Sequence, residues 1–420
     1  MKKTLLLISL LLCALILVSC GGNGGDETTK KKVKITQAPA ETDAPKQTEV
    51  TEVDPSTFYN VVKLDKPGDN LRQQTLDAMR KLANIEWICT ADHTVKNQFE
   101  SWGINYTFKA GQKYHGLPYS QGFSNYDEFA HMIVDGKYGY TGPESWDAGL
   151  PGLQCMSSIN MAIKTCCDIT LCETANVIPS NERYKEDLFK PIGDFTYEKG
   201  DLTEDIVKRN GADKMYECYS KLQKGDVVIS YNASANIRLV ADVVFVKNPN
   251  GQVNYRRSYV VTLEQTNTLE SMANPKFIEK NGYDTTWWMD HQYTFDELFN
   301  STYIPMTFKA YDEPVKEPYV ALETEIKADT LAKGDIPGNV RSNYRIHHVL
   351  YQLVDANGNV VSEACERTES ENHNAYKVNN KYNASELFKN AVHGTNYTFR
   401  LFVGIGPGER QVAEVNFTYN

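Results

Sequence analysis

The spacing of apolar residues changes period along this chain, and the change predicts its layout. Leu71, Leu76, Met79, Leu82 and Ile85 fall near one helical face, which predicts a helix over 69–89. A shorter helix is predicted over 124–133, with Ser124 as its cap and Asp127 in its first turn. Ile159, Ala162, Ile163 and Cys166 recur at helical spacing and predict a largely buried helix over 155–167. A further helix is expected over 203–222, broken near Gly211. The period then becomes that of strands. Runs rich in β-branched and aromatic residues at 226–231, 237–246 and 259–265 predict a sheet, with Asn248-Pro249-Asn250-Gly251 as a hairpin turn. Helices followed by an antiparallel sheet make an α+β layer fold over 58–312.

Residues 315–420 read as strand throughout. Val349 to Val354 leads through Asp355-Ala356-Asn357-Gly358 into Val360-Val361 as a hairpin. Tyr397, Phe399, Leu401 and Val403 alternate, as do Val415, Phe417 and Tyr419. About 100 residues of this kind suggest an immunoglobulin- or fibronectin-like sandwich, with Tyr397 as a candidate tyrosine corner.

The N-terminus sets an address. Lys2 and Lys3 precede an apolar run of about 15 residues, too short for a membrane span and suited to a signal peptide. The run ends in Leu17-Val18-Ser19-Cys20-Gly21, which looks like a bacterial lipobox. The expectation is a signal peptide over 1–19, cleavage before Cys20, and lipidation of Cys20 that anchors an extracytoplasmic protein to the cell membrane. Residues 20–57 are rich in Gly, Thr, Lys, Glu and Pro and read as a disordered tether.

Composition narrows the classes. With 44 Lys+Arg against 54 Asp+Glu, the net charge of -10 disfavours nucleic acid as a partner. The mean hydropathy is negative, which excludes a multi-spanning membrane protein. An acidic surface is not drawn to anionic lipid, so the lipid on Cys20 must do the anchoring. Nine Cys are present. Beyond Cys13 and Cys20, an odd set remains at 89, 155, 166, 167, 172, 218 and 365. Cys166, Cys167 and Cys172 either form a disulfide or pack as small hydrophobes. No zinc-type spacing occurs, and neither metal nor cofactor is expected.

The chemistry-bearing stretch is Gly152-Leu153-Gln154-Cys155-Met156-Ser157-Ser158. A Cys at a helix start meets the first-turn N–H groups and the helix dipole, which favour a thiolate. A thiolate there can attack an acyl carbon beside N–H groups that form an oxyanion hole. Lys224-Gly225-Asp226 opens the sheet, and Asn236-Ile237-Arg238-Leu239-Val240 begins the next strand. Together, over residues 110–310, these resemble the NlpC-type papain-like cysteine hydrolases of bacterial cell walls. In that family an Asp-Cys-Ser motif begins the nucleophile helix, and a Lys-Pro-Gly-Asp-like turn starts the sheet. A His on the following strand is the base, and a polar residue on a later strand orients it.

The resemblance implies Cys155 as nucleophile, Ser157 beside it, and Glu264 or Gln265 as the orienting residue. Alternation puts Glu264 and Gln265 on opposite faces. Where the family has its His, this chain has Asn236, and no His occurs between 132 and 290. Asn accepts no proton and forms no imidazolium. His115, in Tyr114-His115-Gly116-Leu117-Pro118-Tyr119, is the best substitute, ahead of His131 and His291. Tyr114, Tyr119 and Ser157 are candidate substrate contacts. Trp102, Trp146, Trp287 and Trp288 either line a peptide or glycan groove or pack in the core.

Three functions are expected, in this order. The first is a surface lipoprotein whose degenerate NlpC-like domain binds cell-wall peptide, glycan or a protein partner. The second is an active endopeptidase or amidase using Cys155 and His115. The third is a structural surface protein whose sandwich carries adhesion.

Overall fold

The computed structural model describes residues 54–96, 105–140, 150–368, 374–378 and 386–420. The expected signal peptide, Cys20, the tether as far as residue 53, Trp102 and Trp146 lie outside the described residues. Helix α1 (Leu71–Asn84) starts where the Asn70 side chain accepts from Gln73 N and buries Leu71, Leu76, Met79 and Leu82. It stops five residues short of the expected end. Ile85 turns extended, and β2 (Glu86–Cys89) alternates, with Trp87 and Cys89 inside and Glu86 and Ile88 outside. Helix α2 (Tyr126–His131) is capped by Asn125, which accepts from Glu128 N. Ser124, the expected cap, is buried and bound by Arg367 at 2.9 Å. Helix α3 (Cys155–Lys164) is buried along its whole length. Helix α4 (Thr203–Tyr219) is interrupted at Gly211, whose φ of 74° has no place in a right-handed helix.

The main sheet has six antiparallel strands in the order β12-β10-β9-β8-β13-β7. They are β7 (Phe189–Pro191), β8 (Val227–Tyr231), β9 (Ala235–Val244), β10 (Tyr259–Gln265), β12 (Trp287–Thr294) and β13 (Ile304–Phe308). Helix α3 packs on α1 and across β9 and β10. A smaller sheet, in the order β11-β5-β2-β6, contains β5 (Lys113–His115), β6 (Lys137–Tyr138) and β11 (Asp284–Thr285). Strands β3 (His93–Lys96) and β4 (Asn105–Phe108) form a hairpin. All these elements share one core, from Leu71 to Ala310.

The remaining residues build two four-stranded antiparallel sheets over a second core. One contains β16 (Ile346–Val354), β17 (Val360–Arg367), β19 (Asn396–Ile405) and β20 (Gly408–Thr418). The other contains β1 (Asn60–Lys63), β14 (Tyr319–Leu322), β15 (Asn339–Ser342) and β18 (Ala375–Lys377). The sequence pattern groups strand β1 with the α+β part over 58–312. Here it pairs with β14, Asn60 opposite Leu322 and Lys63 opposite Tyr319. The Tyr397 hydroxyl accepts from Val392 N at 3.1 Å. Both cores belong to one compact unit, Asp54–Asn420. Among the described residues, no helix is long and apolar enough to cross a membrane.

Candidate functional site

Cys155 is placed by a short ladder. Leu153 N donates to Pro118 O at 2.9 Å, Ser120 N to Leu153 O at 2.8 Å, and Ser124 N to Gly152 O at 3.0 Å. The loop from Tyr119 to Ser124 thus holds the segment that enters α3. Gly152 is required by close approach, because a Cβ there would overlap the Pro118 carbonyl oxygen and the Ser120 hydroxyl. We expect Gly152→Ala to cost about 1–3 kcal/mol, the usual range for overpacking, measured by urea unfolding. A loss below about 0.5 kcal/mol, the scatter of unremarkable substitutions, would show that the ladder yields without strain.

Cys155 is 8% exposed. Burial pushes its thiol above the ordinary value, and the Glu264 charge adds to that. The N–H groups of Ile237 and Met156 and the Arg238 guanidinium act the other way but do not prevail. The expected lowering by the helix start is therefore overturned, since desolvation of the thiolate outweighs two N–H donors. Ser157, expected to face a substrate, is buried, and its Oγ accepts from Gln154 N at 2.8 Å as part of the helix cap.

Beside Cys155 lies a buried ion pair. Arg238 Nε donates to Glu264 Oε2 at 2.8 Å, and the Tyr293 hydroxyl donates to Oε1 at 2.8 Å. The guanidinium lies between two rings, 4.0 Å from the centroid of Tyr293 and 4.5 Å from that of Tyr303. Asn236 is half-buried and hydrogen-bonds Tyr303 through its side chain. Of the two candidate orienting residues, Glu264 is the one whose charge reaches Cys155. Gln265 points the other way, and its Nε2 donates to Leu117 O at 2.9 Å and Pro118 O at 3.0 Å. It supports the loop through Pro118 O, the same carbonyl that accepts from Leu153 N.

His115 is not brought to Cys155. Its ring stacks on Tyr283 at 3.6 Å, and its Nε2 lies 3.3 Å from Glu86 Oε1. Tyr114 stacks on Trp87 at 4.9 Å and lines a cleft of about 390 Å³ with Tyr106, Leu269, Ser271 and Asp284. Tyr119 lies beside Cys155, and burial raises its hydroxyl far above the ordinary value. Trp287 is core, with Nε1 donating to Leu117 O at 2.9 Å.

The histidine that the fold does bring to this network is His291. Its Nδ1 is 3.4 Å from the Tyr293 hydroxyl, its ring is 5.2 Å from that of Trp288, and the charges of Glu264 and Arg238 both act on it. Simple alternation separates residues 288 and 291. The register shift between Thr262 and Leu263, together with Asp290 at φ 60°, brings them to one face. Arg80 holds Asp290 there through two hydrogen bonds, at 2.5 and 3.0 Å.

None of the seven described thiols is in a disulfide, and Cys166 and Cys167 pack with their sulfurs 3.8 Å apart. Among the described residues, no three His, Cys, Asp or Glu side chains are placed to hold a metal ion. The site as built offers a neutral thiol, two backbone donors, a locked cation–carboxylate pair and an aromatic border. No protein-family model matches the chain, and no curated protein matches it.

Proposed function

We propose that this chain is a lipid-anchored, extracytoplasmic protein of a bacterial envelope. Its papain-like, NlpC-like domain binds cell-wall peptide, glycan or a surface protein and does not cleave it. The observation that carries this reading is the Arg238–Glu264 pair. In the family likeness, a base on β9 and an orienting residue on β10 serve the nucleophile. Here Asn236 occupies the base position, and Glu264 is committed to a guanidinium that gives up no proton at neutral pH. Cys155 then stays a thiol, which is a weak nucleophile. The aromatic border of Tyr293, Trp288 and His291 suits stacking on a sugar ring or a peptide side chain. The second core, between two antiparallel sheets and with its Tyr397 hydrogen bond, supports an immunoglobulin- or fibronectin-like sandwich.

A hydrolytic reading survives in a changed form. Two backbone N–H groups already face the sulfur, and His291 replaces His115 as the imidazole nearest the network. Alkylation separates the two readings. In the chain lacking Cys20, we expect iodoacetamide to label Cys155 at pH 7 no faster than a small free thiol, read by peptide mass spectrometry with Cys155→Ala as the blank. We also expect Cys155→Ala to be retained by purified wall fragments as well as the parent. Rapid labelling with a depressed thiol pKa, or loss of retention in Cys155→Ala, would overturn the binding reading.

A further inference from the structure

Two thiols stand side by side at the far end of α3 from Cys155. Thr165 caps the helix, and Cys166 N and Cys167 N both donate to Ile163 O, at 3.1 and 2.9 Å, as the chain turns away. The sulfurs lie 3.8 Å apart, and the two residues are buried, 2% and 6% exposed. Cys166 Sγ lies 3.4 Å from Ile163 O and 3.5 Å from both Leu71 O and Thr75 Oγ1 on α1. Cys167 Sγ lies 3.9 Å from Ala310 O, just beyond β13. The reading of Cys155 uses neither thiol.

The next residue ties this turn to the second core. Asp168 Oδ1 accepts from Arg345 N at 3.0 Å and pairs with the Arg345 guanidinium at 2.8 Å. Asp168 O accepts from Arg345 Nη1 at 2.9 Å, and Arg345 immediately precedes β16. Gly406, between β19 and β20, packs so closely on Lys164 O that a Cβ there would overlap it. Movement of the two sulfurs therefore acts on the seam where both cores meet.

Consecutive Cα atoms are held about 3.8 Å apart, whereas an ordinary disulfide spans about 4.4–6.8 Å between its Cα atoms. A bond between Cys166 and Cys167 forms only by bringing the sulfurs together from 3.8 Å to about 2.05 Å, which draws at least one of them out of its present contacts. Disulfides closed against such a constraint are readily reduced, and they serve as regulatory bonds more than as permanent cross-links.

We propose that Cys166 and Cys167 form an oxidation site, at which hydrogen peroxide closes a vicinal disulfide that loosens the turn joining α3 to the second core. The Cys166 thiolate attacks one peroxide oxygen, the O–O bond breaks, and the departing hydroxide takes up a proton and leaves as water. The Cys167 sulfur then attacks the sulfur of the Cys166 sulfenic acid. The S–S bond forms, the S–O bond breaks, and the hydroxyl leaves with the Cys167 proton as a second water. The two thiols lose the two electrons that peroxide gains. Cys166 attacks first because the hydrogen bond from Cys167 holds its thiol below the ordinary value against burial, with the Thr75 and Thr165 hydroxyls helping. The same hydrogen bond, with burial, pushes the Cys167 thiol far up. Exposures of 2% and 6% admit a molecule of peroxide's size during local opening and shut out a protein oxidant. This chemistry is the same whether Cys155 binds or attacks.

Peptide mass spectrometry of the full chain tests it. The chain is reduced with dithiothreitol, freed of it, treated with hydrogen peroxide, unfolded in N-ethylmaleimide, and cut after Lys164 and Leu171. Peptide 165–171 then holds both thiols and leaves Cys172 on its neighbour. We expect this peptide two hydrogens lighter and without maleimide, both labels restored by dithiothreitol, and Cys89 and Cys218 labelled throughout. A peptide that keeps both labels after peroxide, or that stays joined to the one beginning at Cys172, overturns the proposal. Cys167→Ser should carry a sulfenic acid, trapped by dimedone, or its sulfinic product on Cys166. An unmodified Cys166 in that variant overturns the order of attack, and if the variant fails to fold the parent peptide decides alone. In hydrogen–deuterium exchange the oxidised chain should lose about fivefold protection over 165–170 and 343–348, as loss of one hydrogen bond allows, while β8 is unchanged. Dithiothreitol should restore that protection, which separates the disulfide from methionine oxidation. Equal protection in both forms overturns the loosening of the seam.

Discussion

Replacing Asn236 by His raises the rate at which Cys155 is alkylated at pH 7 by about 10²-fold, the low end of what a positioned base supplies. Residue 236 precedes Ile237, whose N–H reaches the Cys155 sulfur, so an imidazole there enters the same shell. Its first neighbour is the Tyr303 hydroxyl that now bonds Asn236. Arg238 lies two residues along the same face and opposes protonation of the new ring, which favours the neutral base. Glu264 stays committed to Arg238, so the new imidazole is unoriented and the gain stops well short of a full dyad. The measurement is peptide-resolved iodoacetamide labelling of the variant against the parent. A change of less than about threefold would mean that residue 236 does not stand in the base position, and the papain-like likeness would fall with it.

Glu264→Gln lowers stability by about 3–5 kcal/mol, because it leaves the Arg238 cation buried without its counter-ion. Glu264 is 1% exposed and the Arg238 side chain 12%, so water screens little of the loss. Three groups hold the carboxylate and the guanidinium in place, namely Tyr293 through its hydroxyl and the rings of Tyr293 and Tyr303 on either side. The check is urea unfolding of Glu264→Gln beside the double variant Glu264→Leu with Arg238→Met. The double variant should recover most of the loss, because replacing both ions by apolar groups of similar volume removes two desolvation costs together. If the single variant loses under about 1 kcal/mol, the pair is solvated and does not lock the site. If the double variant is as unstable as the single one, packing and not charge accounts for the loss.

These two results bear on one question from opposite sides. The first asks whether a base can be put back beside the thiol. The second asks whether the residue that would orient such a base is tied up in holding the fold. A large effect in both would describe a scaffold that retains the geometry of nucleophilic catalysis while its polar residues serve structure.

Much of the frame is local and so is readable from residues alone. The buried helix starting at Cys155 follows from apolar spacing, and β10 spans Tyr259–Gln265 as the β-branched run predicted. The break at Gly211 follows from a residue that pays no steric penalty at φ 74°. Local signals misled where two patterns overlap. Ile85 continues the helical spacing of α1, yet Trp87 and Cys89 already alternate as a strand.

What only the tertiary structure decided concerns faces, distances and dielectric. Whether Glu264 or Gln265 meets Cys155 depends on which side of β10 the helix α3 covers. His291 joins the network because a register shift and a left-handed Asp290 reset the alternation of β12. His115 is drawn to Glu86 and Tyr283 by a sheet whose strands are far apart in the chain. Strand β1 finds β14 more than 250 residues away by number. The thiol shows the limit most plainly: a cysteine at a helix start favours the anion, but burial in the finished core favours the neutral form more strongly. Helix position is written in neighbouring residues, whereas burial is set by the whole chain folded around them.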